Sequence, residues 1–332
     1  MQKTLSEIIK AENLKKYFPV QKSFLEQMLA RKASYVKAVD NVTFSIKKGE
    51  IFTLAGESGC GKTTTGRLVV RLLEPTSGKI CFDGEDITKL RGEKLRMLRR
   101  KMQIIFQDPY ASLNPRMRIG DSIGHPLEIY GMAKGKEKMK MVSEVLEKVG
   151  LTPPEQFIGL YPLNLSGGQR QRVALARSII LKPEFMIADE PVSMIDVSLR
   201  TTIIDLMLGF RKELGLTYLF VTHDLAVAKY ISDRIAIMYL GKIVEMGNKE
   251  EIFSNPMHPY TQALLLAIPV PDPERKRKDV ELKGEVPSAI NVPSGCRFHT
   301  RCPKAEKTCA EKEPEMIPVS PSHFVACVQV EV

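Results

Sequence analysis

Residues 56–63 read Gly-Glu-Ser-Gly-Cys-Gly-Lys-Thr, side chains and spacing suited to holding a chain of phosphates. They fit the P-loop pattern G-x-x-x-x-G-K-[ST]. Gly56, Gly59 and Gly61 let the backbone curl so that its N–H groups, including those of Glu57, Ser58 and Cys60, face a β-phosphate. Lys62 then bridges the outer phosphates, the Thr63 hydroxyl holds Mg²⁺, and Thr64 continues into a helix whose start adds partial positive charge. Three further positions suit phosphoryl transfer. The apolar run 184–190 ends in two carboxylates: Asp189 to bind Mg²⁺ through water, and Glu190 to polarise the attacking water. Gln107 follows the apolar run 101–106, placed to reach Mg²⁺ and the same water. His223, after the run 217–221, can contact a γ-phosphate. Taken singly, each is equally a solvated strand end or a structural histidine. Their order beside an intact P-loop favours the catalytic reading.

A second anion site is spelled by Leu165-Ser166-Gly167-Gly168-Gln169, directly before a helical pattern over 170–180. One P-loop needs only one such helix start, so this one points to a nucleotide held by another subunit.

These residues need strands and helices to position them. Apolar runs predict strands at 11–20, 38–46, 51–55, 79–84, 101–106, 184–190 and 217–221, with a helix at 64–73. From about 111 the pattern turns helical: Met141, Val142, Val145, Leu146 and Val149 share one face, and Gly150 supplies a stop. The segment reads as a helical subdomain inserted between strands. Residues 21–37 show a second amphipathic stretch, with Phe24, Leu25, Met28 and Leu29 on one side, read as an insertion into an edge sheet. Tyr17 before it is the candidate to stack on an adenine ring, with Tyr35 as the alternative. The fold class is α/β.

The 332 residues allow one large domain and an appendage, and 43% hydrophobic content is ample for a core. The net charge of +10 is spread through solvated faces such as 94–101 and the run Arg275-Lys276-Arg277-Lys278. Neither is interleaved with aromatics, so no nucleic-acid partner is expected. No secretory h-region and no spanning apolar stretch is visible; the longest uncharged stretch, 252–271, is broken by prolines. The expectation is a soluble or peripheral protein.

The five pieces in this order resemble the ATP-binding cassette of ABC transporters: Walker A at 56–63, Q-loop at Gln107, signature at 165–169, Walker B with its catalytic glutamate at 185–190, and H-loop at His223. The resemblance covers roughly 8–250. It implies a RecA-like P-loop core, an antiparallel β edge subdomain and a helical subdomain at about 111–180. It also implies a head-to-tail dimer, in which Ser166, Gly167, Gly168 and Gln169 of one subunit close over the nucleotide of the other. Asp196 falls in the D-loop, which reads Ser-Met-Ile-Asp where Ser-Ala-Leu-Asp is usual. Residues 59–67 and 103–115, and the stretch His258-Pro259-Tyr260-Thr261-Gln262-Ala263-Leu264-Leu265, are similar to the dipeptide/oligopeptide importer ATPases, the F-type subunit. That likeness implies ATP hydrolysis driving peptide uptake at the cytoplasmic face of the cell membrane. The implied partners are two permeases, a second ATP-binding subunit of the D type and an extracytoplasmic binding protein. Importers of nickel or oligosaccharides share these motifs, and a soluble non-transport ABC ATPase is the more distant alternative.

The remaining region, 251–332, carries Cys296, Cys302, Cys309 and Cys327 among prolines and charges, with too little apolar sequence for an independent core. Four thiolates would close one zinc site or hold one [4Fe–4S] cluster. The spacing C-x5-C-x6-C-x17-C is not a pair of C-x2-C knuckles and favours the cluster, which related importer ATPases carry. Zinc or unliganded thiols are the alternatives, with His299 and His323 as rival ligands. A cluster here is expected to be structural, stapling a loop-rich segment.

Overall fold

The computed structural model describes residues 6–20, 34–268 and 284–330. Most of the amphipathic stretch at 21–37 and the basic run at 275–278 lie outside them. In chain order the elements are β1 (Glu7–Pro19), β2 (Tyr35–Lys47), β3 (Ile51–Ala55), α1 (Lys62–Val69), β4 (Ser77–Phe82), β5 (Glu85–Asp86), α2 (Gly92–Lys101) and β6 (Met102–Ile105). There follow α3 (Ile119–Ile129), α4 (Gly135–Lys148), α5 (Gly167–Ile179), β7 (Phe185–Asp189), α6 (Val197–Leu214) and β8 (Thr217–Thr222). The chain continues through α7 (Leu225–Ile231), β9 (Arg234–Tyr239), β10 (Lys242–Asn248), α8 (Pro259–Leu266), β11 (Ile317–Ser320) and β12 (His323–Val325), with short helical turns between. Two compact units result, one built mainly from Lys89–Phe220, the other from Ile9–Ile46, Ile51–Thr88 and Val221–Val332.

In the first unit, β6 and β7 pair in parallel, Met102 opposite Phe185 through Ile105 opposite Ala188, with β8 beside β7. Every residue of β7 is buried. A parallel strand covered on both faces requires such an unbroken apolar run. Helices α3, α4 and α5 pack on one another. On α4 the buried positions are Val142 and Leu146, four apart on one face. Val149 caps the helix end, and Gly150 takes the left-handed conformation (φ 71°) with its N–H on the Glu147 carbonyl. The charged helix α2 buries none of its residues.

The second unit holds two sheets. The smaller, in order β2-β1-β4-β5, is antiparallel at β1–β4 and β4–β5; Asp83 and Gly84, both at positive φ, turn the last hairpin. Strands β1 and β2 begin three or more residues earlier than the apolar runs suggest. The larger runs β11-β12-β10-β9-β3, with β3 parallel to β9 and the other pairs antiparallel.

The cysteine-bearing segment does not stand apart. Its β12 lies along β10, Glu245 opposite Val325 and Met246 opposite Phe324. Its Phe298 is buried in the cluster of Tyr239, Tyr260, Ile237 and Ala55, meeting the Tyr239 ring edge-on at 5.2 Å. The segment lacks apolar residues for a core of its own because it shares this one. The His-Pro-Tyr motif opens α8: Pro259 takes the first position, where a missing N–H costs nothing, and His258 Nδ1 accepts from the Tyr260 N–H at 3.1 Å. Burial holds the His258 pKa down to about 4, keeping that nitrogen an acceptor. No described helix is long and apolar enough to cross a membrane.

Candidate nucleotide-binding and hydrolysis site

In the second unit β3 delivers the P-loop to α1. A side chain at Gly56 (φ 149°) would place Cβ 2.3 Å from the Met238 carbonyl oxygen, and one at Gly61 (φ 108°) would place it 2.1 Å from that of Ala38. Only glycine fits either position. Helix α1 starts at Lys62, two residues before the expected Thr64, and ends at Val69. No side chain caps its start, so its first N–H groups suit an anionic ligand. Lys62 is 4% exposed and its ammonium donates to the carbonyls of Gly56 (2.8 Å) and Glu57 (2.9 Å). Thr63 and Thr64 are half-buried, Ser58 and Gly59 exposed, and Cys60 is buried, which raises its thiol pKa.

Two residues more than 200 positions further along the chain touch this loop. Arg301 grips the Glu57 carboxylate with both terminal nitrogens, at 2.9 and 3.3 Å, and the Tyr260 hydroxyl accepts the Glu57 N–H at 2.9 Å. Tyr17 donates its hydroxyl to Asp40 at 2.5 Å; burial, then Asp40, pushes its pKa up to about 12. The other Asp40 oxygen is taken by Arg297. Tyr17 is half-buried and Tyr35 is 45% exposed. His223 lies exposed at the end of β8, and the next residue, Asp224, caps α7.

In the first unit β7 ends at Asp189, 2% exposed. Glu190 follows at φ 47°, a left-handed conformation costly for a residue with a Cβ and found where function over-determines the backbone. Gln107 Nε2 donates to Glu190 Oε2 at 2.9 Å, so two of the predicted residues meet. Ser166 caps α5 in a reciprocal box: its hydroxyl accepts the Gln169 N–H (3.3 Å), while the Gln169 side-chain oxygen accepts the Ser166 N–H (2.9 Å). The helix therefore starts at Gly167, three residues before the expected 170, with Gly168 and Gln169 in its first turn. Asp196 precedes α6, exposed and making no capping bond.

All six cysteines are free. Cys296, Cys302, Cys309 and Cys327 line one small cavity with Phe298 and His258. Burial, reinforced by the other three thiols, pushes the Cys296 thiol up to about 11. Among the described residues no group of three or more His, Cys, Asp or Glu is placed to hold a metal ion, whether zinc or the iron of a cluster. Of the rival ligands, His323 Nε2 pairs with buried Glu245 at 2.7 Å, whereas His299 lines the same cavity as the cysteines, with its Nδ1 on the Cys296 carbonyl oxygen.

The ABC transporter family matches residues 39–193, and the family "Oligopeptide/dipeptide transporter, C-terminal region" matches 244–309. The chain is 50% identical over 323 residues to the oligopeptide transport ATP-binding protein AppF of Bacillus subtilis, covering 96% of each. It is 44% identical to the probable peptide ABC transporter ATP-binding protein y4tS of Sinorhizobium fredii, covering 96% of this chain and 89% of that one. Among solved structures it is similar to the dimeric post-hydrolysis state of the ATP-binding cassette MJ0796 bound to ADP and Pi. That match has 30% identity and a TM-score of 0.63, covering 73% of this chain and 98% of that one. Motifs, fold and relatives agree: the chain belongs to the ABC transporter ATP-binding proteins that carry the oligopeptide/dipeptide transporter C-terminal region.

Proposed function

We propose that the chain is the ATP-hydrolysing subunit of an importer for di- and oligopeptides. The observation that carries this reading is the Gln107–Glu190 contact after a buried strand ending in Asp189, in a chain half identical to an oligopeptide transport ATP-binding protein. Lys62 exchanges its two carbonyl partners for the β- and γ-phosphates, and the uncapped start of α1 receives the phosphate chain. Glu190 accepts a proton as water attacks the γ-phosphorus; the bond to the bridging oxygen breaks and ADP leaves. Gln107 holds the Glu190 carboxylate and the water in register, and His223 donates to a γ-phosphate oxygen. Thr63 in one unit, and Gln107 and Asp189 in the other, would each offer an oxygen ligand to Mg²⁺, which would supply charge neutralisation on the phosphates. Tyr17 stacks on the adenine. Ser166, Gly167, Gly168 and Gln169, with Asp196 beside them in role, serve the nucleotide of a second ATP-binding subunit.

Two permeases, that second cassette and an extracytoplasmic binding protein complete the importer, with this chain peripheral on the cytoplasmic face of the membrane. The test is anaerobic co-purification from native membranes in detergent, with partners identified by mass spectrometry. Permeases, a second cassette and a peptide-loaded binding protein are expected; only soluble or nucleic-acid-associated partners would overturn transport while leaving the ATPase reading intact.

The tail cysteines are proposed to hold a [4Fe–4S] cluster. Support comes from four soft donors lining one cavity, the number that a [4Fe–4S] cluster takes, one thiolate to each iron. Such a cluster would tie residues 296–327 together. Iron and acid-labile sulfide near four per chain after anaerobic purification would support it, and their absence would leave the cysteines as thiols.

A further inference from the structure

We propose that Arg301, carried by the cysteine-bearing tail, is a positioning residue for nucleotide binding: it neutralises Glu57 so that the P-loop accepts a phosphate chain. The inference rests on the ATP-binding reading above. Glu57 is the second residue of a loop whose other features favour anions, namely glycine-shaped backbone, a lysine and an uncapped helix start. A carboxylate there opposes a polyanion. Arg301 meets it with the two-pronged contact that a guanidinium makes best, at 2.9 and 3.3 Å, and its side chain is 8% exposed while that of Glu57 is 28% exposed. The pair is thus partly shielded from water, where screening is weakest. The backbone of the same residue is fixed by the Tyr260 hydroxyl. The adenine-side element repeats the device: Arg297, four residues before Arg301, holds Asp40, and Asp40 orients Tyr17. The two arginines adjoin Cys296 and Cys302, so one short loop reaches both elements.

An arginine that merely docks the tail and one that neutralises Glu57 differ in a measurable way. The experiment is equilibrium binding of the fluorescent analogue MANT-ATP to the full chain, in a cycle of wild type, R301M, E57Q and the double variant. Arg301→Met is expected to raise the Kd about tenfold, because the Glu57 carboxylate, no longer neutralised, then opposes the phosphates across solvent-screened distance. In the E57Q background the same change is expected to cost less than about twofold, because the charge to be neutralised is gone. A tenfold loss that persists in E57Q, or R301M binding like wild type, would overturn the inference. Arg301→Lys keeps the charge without the fork and is expected within about threefold of wild type. It serves if R301M does not fold, and a tenfold loss there also overturns the charge argument. No MANT-ATP binding by the wild-type chain would overturn the nucleotide reading itself, and the inference with it.

Discussion

Gln107 Nε2 stands 2.9 Å from Glu190 Oε2, joining the end of β6 to the residue after β7. The contact links residues 83 apart in sequence and orients a carboxylate on a left-handed backbone.

If that carboxylate is the general base, Glu190→Gln retains the shape and loses the proton acceptor. Turnover is expected to fall by a factor on the order of 100 or more, with MANT-ATP affinity within about twofold of wild type. Phosphate release from a homodimer of the variant checks it; near-wild-type hydrolysis would remove Glu190 from the role. The homodimer matters, because a second active site in a mixed dimer would mask the loss.

Lys62 holds two carbonyl contacts, one buried and one partly buried, that phosphates would replace. Charge-assisted bonds of this kind are each worth about 1.5–3 kcal/mol, so Lys62→Ala is expected to weaken ATP binding at least tenfold. Titration calorimetry reads the loss directly, and an unchanged Kd would place the phosphates elsewhere.

Ser166→Ala removes a helix cap with its reciprocal partner, at a cost of about 1 kcal/mol. The melting temperature should drop by a few degrees. If the same residue serves a second subunit's nucleotide, ATP-driven association of the Glu190→Gln protein should weaken as well. Light scattering on the size-exclusion column separates the two effects, and unaltered association would confine Ser166 to capping.

Phe298 is 1% exposed against Tyr239, Tyr260 and His258. Its truncation to alanine leaves a cavity costing about 3–5 kcal/mol. Urea unfolding of the full chain is the measurement; a change below about 1 kcal/mol would contradict the shared core.

The motifs were legible because phosphate chemistry constrains local sequence: a glycine turn, a lysine, and carboxylates after an apolar run. The helix starts were less so. The two glycines of 167–168 weaken the helical pattern, which drew the expected start to 170, although Ser166 and Gln169 already spelled a capping box. Unreadable altogether was the placement of the tail. Arg297 and Arg301 are buried only because Asp40 and Glu57 meet them across some 240 residues or more, and β12 finds β10 across about 80. Periodicity reports the neighbours of a residue in sequence, and these contacts have none.

The pairing of β12 with β10 also dictates an order of events during synthesis. β10 emerges about 75 residues before the strand that covers its outer edge. At 5–20 residues per second, a nascent chain carries that edge uncovered for roughly 4–15 s, with every nucleotide motif already translated. An open strand edge is a template for pairing with foreign chains. Once made, β12 takes up the backbone hydrogen bonds of that edge and closes it to such pairing.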